Sequence, residues 1–104
     1  NIAPVVEALS LIPGLISTSS CQGNDDYHEA NIRFRFGKTP HESIDFYIWL
    51  HNGLAHRLHH ENHHLTIDSA LGPKNVDFKL TFDNRFIKDV AKALLEIASQ
   101  PFRP

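Results

Sequence analysis

Two seven-residue stretches, Ala30 to Phe36 and Val76 to Phe82, constrain the fold more than any other part of the chain. In the first, Ile32, Phe34 and Phe36 alternate with Arg33 and Arg35; in the second, Val76, Phe78, Leu80 and Phe82 alternate with Asp77, Lys79 and Thr81. Successive side chains of a strand point to opposite faces, so this alternation describes strands with one buried face and one wet face. Such strands belong to an antiparallel sheet whose helices pack on a single side.

The segments between them complete a pattern. Ile2, Val5, Val6, Leu9 and Ile12 recur at helical spacing over residues 2–12, and Pro13-Gly14 stops that helix. Leu15 to Ser20 reads as a short strand leading into the polar loop Cys21-Gln22-Gly23-Asn24-Asp25-Asp26. Thr39-Pro40-His41-Glu42 carries the signals of a helix start, with a capping Thr, Pro at the first helical position and a Glu that closes a capping box. The spacing predicts a helix from there to about His59, with Ile44, Tyr47, Ile48, His51, Leu54, Ala55 and Leu58 on its buried stripe. A strand over Leu65–Asp68, a turn at residues 72–75 and the strand Val76–Phe82 follow. Asp83 or Asn84 caps a last helix with Ile87, Val90, Ala91, Leu94 and Ala98 inward, and Pro101 ends it. The order is α-β-β-α-β-β-α: an α+β fold with a four-stranded antiparallel sheet and helices on one face, and no linker divides residues 1–104. The uncovered face is predicted to carry Arg33, Arg35, Lys79, Thr66, Thr81, Asp68 and Asp77, either as solvated surface or as a docking platform between copies of the chain.

Composition narrows the class. A net charge of -2 lacks the basic stripe that duplex DNA or an anionic lipid surface demands, so neither is an expected partner. The one cysteine, Cys21, excludes an intrachain disulfide and fits a reducing, cytoplasmic setting; no apolar run reaches the length of a membrane span. The chain opens on Asn1 and is consistent with a piece of a longer product.

Three constellations have chemical potential. In Ser17-Thr18-Ser19-Ser20-Cys21-Gln22-Gly23, hydroxyls and loop amides at a strand end can hold a phosphate or carboxylate, with Arg33 or Arg35 supplying charge. The same residues also serve as ordinary turn formers, with Cys21 a small buried apolar group. A thiol at this position becomes a nucleophile if a base such as His28 lowers its pKa. Third, six of the eight histidines fall within residues 51–64. On a continued helix His56 and His60, and His59 and His63, lie four apart and suit zinc or nickel; the alternative is a polar helix end whose charged imidazoles favour the dipole.

The stretch Leu11-Ile12-Pro13-Gly14-Leu15-Ile16-Ser17-Thr18-Ser19-Ser20-Cys21-Gln22-Gly23 resembles the opening motif of the wybutosine-synthesis tRNA methyltransferase family. Thr18, Ser19, Ser20, Cys21 and Gly23 match that family's Thr-Ser-Ser-Cys-x-Gly pattern. The resemblance covers about thirteen residues and implies a fold relationship and an S-adenosylmethionine-dependent step on a modified guanosine in tRNA. Asn24, Asp25 and Asp26 stand where the family carries a basic residue. The order of elements, with Pro13-Gly14-Leu15-Ile16, is also similar to the LAGLIDADG homing endonucleases, but Ser17 and Thr18 replace their metal-binding acid, so two-metal cleavage has no ligand here.

Three functions follow as expectations: a module that binds a small anionic or nucleotide-like ligand at the Ser-Ser-Cys loop; a homo-oligomer that self-associates through its sheet or its histidine-rich helix end; and a cysteine-dependent enzyme.

Overall fold

The computed structural model of the chain describes residues 1–24, 26, 28–36, 40–59, 63–68 and 77–100. The elements run α1 (Ala3–Ser10), β1 (Leu15–Cys21), β2 (Glu29–Phe36), α2 (Pro40–Arg57), β3 (His63–Asp68), β4 (Asp77–Asp83), a 3-10 turn over Asn84–Phe86, and α3 (Ile87–Ala98). The sheet order is β1-β2-β4-β3, and every neighbouring pair is antiparallel. The predicted class, element order and one-sided helix layer hold.

The alternation in β2 and β4 is what builds the core. Ala30, Ile32 and Phe34 pair in register with Phe82, Leu80 and Phe78, and all six are buried. Registered partners share a face, so these side chains form one apolar plate beneath the helices. Phe46 anchors α2 on it. Its ring lies 3.8 Å from that of Phe36, 5.7 Å from Phe78 and 6.4 Å from Phe34, centroid to centroid. Helix α3 packs against both α1 and α2 and buries Val90, Ala91, Ala93, Leu94 and Ile97. Two glycines permit close approaches. Gly14 has φ +84°, and a Cβ there would lie 3.1 Å from the Phe36 ring; a Cβ on Gly53 would lie 3.0 Å from two Ile97 carbons, where α2 meets α3.

Helix α2 corrects the expected stripe. Its inward residues are Ser43, Phe46, Leu50 and Leu54, with Tyr47, Trp49 and Leu58 packed at the margin; Ile44, Ile48, His51 and Ala55 face solvent. The helix carries apolar residues on two faces, and the sheet takes the one bearing the phenylalanine, because Phe46 fits the aromatic plate of Phe34, Phe36 and Phe78. The helix also ends at Arg57, short of His59, since β3 begins at His63. The expected cap Thr39, the turn at 72–75, Val76 and Pro101 lie outside the described residues. Asp83 caps the 3-10 turn that precedes α3, accepting the Arg85 N–H at 2.9 Å.

Candidate functional site

Strand β1 is the outer strand beside β2, and residues 16–21 are exposed along its whole length. Its register with β2 shifts between Ser17 and Ser19, a bulge in which Thr18 is the extra residue. Ser17 faces Phe34 and Ser20 faces Ile32, on the helix side of the sheet; Ser19 faces Arg33 and Cys21 faces Asn31, on the open side. The hydroxyl run is therefore divided between two faces and does not form one cup. Gly23, at φ +72°, takes the left-handed conformation that turns the chain after the strand.

The open face separates the two arginines. Arg35 stands opposite Asp77, and its Nε donates to Asp77 Oδ1 at 2.5 Å, so its charge is matched within the sheet. Arg33 stands opposite Lys79. Ser19 continues that row onto β1, and Thr66, opposite Lys79, continues it onto β3. Directly opposed side chains in antiparallel strands have Cβ atoms about 4.5–5.5 Å apart, and like charges so placed repel. Two cations flanked by two hydroxyls thus share one row across all four strands. The adjoining row, Cys21, Asn31, Thr81 and His64, is uncharged when His64 is neutral.

Beyond Cys21 the loop is tied to the start of the last helical segment. The Asn84 side-chain amide donates to the carbonyls of Gln22 (3.2 Å) and Asn24 (3.4 Å), and its backbone N–H donates to the carbonyl of His28 (2.7 Å). Asn1, Gln22, Gly23, Asn24, Asn84 and Ile87 line a shallow cavity of about 220 Å³ there. Sequence reasoning placed Asn84 only as a helix cap; its hold on Gln22, Asn24 and His28 is long-range and has no local signal. Next to it, Arg85 grips Asp83 through Nε at 3.0 Å and Nη2 at 2.7 Å. That guanidinium first, and the Arg85 N–H second, hold the Asp83 carboxyl down to about 2 from an ordinary 3.8.

The remaining sequence candidates fare differently. Cys21 is exposed, which removes its reading as a small buried group. His28 is exposed near Asp83, whose carboxylate it helps to stabilise, and no hydrogen bond joins it to Cys21. His56 sits exposed in the last turn of α2, and His59 lies past the end of the helix. His63 is buried with Nδ1 3.1 Å from the carbonyl oxygen of His59, so that nitrogen carries hydrogen and donates. His59 and His63 therefore lack the helical spacing expected of a ligand pair, and His60 lies outside the described residues. Among the described residues, no three His, Cys, Asp or Glu side chains come together in a way that holds a metal ion. No described helix is long and apolar enough to cross a membrane.

Comparison with protein families, with curated proteins and with solved structures finds no match to this chain.

Proposed function

We propose that the chain is a binding module for a small anion, such as the phosphate of a nucleotide, seated on the open sheet face over Ser19, Arg33, Lys79 and Thr66. The observation that carries this reading is the direct opposition of Arg33 and Lys79 across β2 and β4. An anion seated between the two side chains makes two charge-assisted contacts. The Ser19 hydroxyl stands beside Arg33 and supplies a neutral donor, while the Thr66 hydroxyl at the other end of the row donates to the Lys79 carbonyl at 3.4 Å. No Phe, Tyr or Trp occupies the open-face positions of the described strands, so the anionic group carries most of the affinity. Thr18, Ser20 and Gly23 act indirectly, through the bulge and turn that set where Ser19 and Cys21 stand.

The test is a titration of the full chain with inorganic phosphate, AMP, S-adenosylmethionine and tRNA, read by amide shifts. The last two ligands come from the resemblance of residues 11–23. Saturable shifts at residues 19, 33, 66 and 79, abolished by Arg33→Ala and weakened by added salt, are the expected result. Unmoved amides at millimolar ligand end the reading.

A further inference from the structure

We infer that the cavity between the end of α2 and α3 is a second binding site, for a small zwitterion with an apolar part: an α-amino acid with an aliphatic side chain. It is independent of the anion site, which lies on the uncovered sheet face, whereas α2 and α3 belong to the helix layer. The cavity measures about 360 Å³, toward the lower end of the about 300–1,000 Å³ typical of small-molecule sites. Its lining follows from helical spacing. Lys92, Ala93 and Glu96 lie three, four and seven residues after Asp89, so the four share one face of α3. Arg57, the last residue of α2, and Leu58 beyond it line the cavity from the other helix, and Phe86 lines it from the 3-10 turn.

The charges of the lining choose the ligand. Arg57 donates through Nε to Glu96 at 3.1 Å and through Nη1 to the Gly53 carbonyl at 3.0 Å, so this acid and this base are matched within the chain. Asp89 and Lys92 are left over. Both are exposed, and neither has a hydrogen-bond or ion-pair partner among the described residues. An anion alone meets Lys92 and leaves Asp89 uncompensated beside it; a cation alone does the reverse. A ligand with both an ammonium and a carboxylate answers both side chains at once. Residues three apart on a helix have Cβ atoms about 5–6 Å apart, so Asp89 and Lys92 can converge on two charged groups that stem from one carbon, as they do in an α-amino acid. The apolar part then rests on Leu58 and Phe86, which pack half-buried against the core, and on buried Ala93.

Titration of the full chain with L-leucine from about 0.1 to 50 mM, across the millimolar affinity class, tests this by amide shifts. The expected result is saturable shifts at Leu58, Phe86, Asp89, Lys92 and Ala93, with residues 19, 33, 66 and 79 unmoved. N-acetyl-leucine, which lacks the ammonium, and leucinamide, which lacks the carboxylate, should each bind at least tenfold more weakly, because each loses one charge-assisted contact. Lys92→Gln and Asp89→Asn should weaken leucine binding to the same degree while circular dichroism stays unchanged, since both positions are exposed. Absence of saturable shifts at the highest concentration overturns the inference. So do blocked leucines that bind as well as leucine itself, which would mark a merely apolar crevice, and so does binding indifferent to both substitutions. Phosphate binding is read separately on the same variants, so loss of one behaviour leaves the other intact.

Discussion

Arg33 and Lys79 stand directly opposite one another across β2 and β4, on the sheet face that no helix covers. In the neighbouring row Arg35 stands opposite Asp77 and pairs with it. Lys79→Glu should therefore raise stability in urea by about 0.2–1 kcal/mol, through a favourable cross-strand pair. The same substitution should lower phosphate affinity at least tenfold. A variant that binds as well as the parent would show that the cation pair has no part in binding.

Gly53 and Ile97 fix how close α2 comes to α3. An alanine in a helix interior is favoured over glycine by about 1 kcal/mol, but a Cβ 3.0 Å from Cδ1 and Cγ1 of a buried isoleucine overpacks the contact, at about 1–3 kcal/mol. Overpacking wins, so Gly53→Ala should lower the urea midpoint. Ile97→Val removes Cδ1 and should cost less in the Gly53→Ala background than alone. Additive effects in that double-mutant cycle would mean that the two positions do not press on each other.

How much of this could be read from the sequence depends on the range of the forces involved. Ile32, Phe34, Leu80 and Phe82 declare their strands because period-two burial is written into consecutive residues. On α2 the sequence carried two apolar stripes, and it favoured the one through Ile44, Ile48 and His51. The choice was made instead by Phe46, whose partners Phe34, Phe36 and Phe78 come from two strands distant in the chain. The division of Ser17, Ser19 and Ser20 between faces was equally hidden, because one bulge residue, Thr18, inverts the alternation and nothing local marks it. Arg33 and Arg35 looked equivalent as neighbours on one strand. Only the register with β4 gives one of them Asp77 and the other Lys79.

The Asp83 carboxyl offers a pH readout of the turn before α3. Its pKa is held at about 2, below the ordinary 3.8, by the Arg85 side chain and N–H. A carboxyl depressed in the folded state adds stability that is fully present above its unfolded pKa and is lost as pH falls through the folded one. The stability it adds should therefore be intact at pH 4 and be lost progressively as pH falls from about 3.8 through about 2. Carbon-detected titration of Asp83 should give a midpoint near 2, moving toward the ordinary value in Arg85→Ala. A midpoint near 4 in the parent would mean that the guanidinium is not engaged.

Asn84 ties the loop after Cys21 to the helical layer, and its removal should be felt at the open face. Its side chain is the donor to two carbonyls of that loop, and a typical hydrogen bond contributes about 0.5–1.5 kcal/mol. Asn84→Ala keeps the backbone bond to His28 and deletes the other two, so global stability should fall by about 1 kcal/mol. The larger effect is local. Residues 22–24 lose their tether, the end of β1 frays, and Ser19 and Cys21 lose the backbone that orients them. Amide order parameters should drop at Gln22, Gly23 and Asn24 while those of β2 and β4 hold. Phosphate affinity should weaken only in part, because Arg33 and Lys79 sit on inner strands that Asn84 does not support. If affinity vanished with β2 and β4 still ordered, the loop rather than the cation pair would be the principal contact.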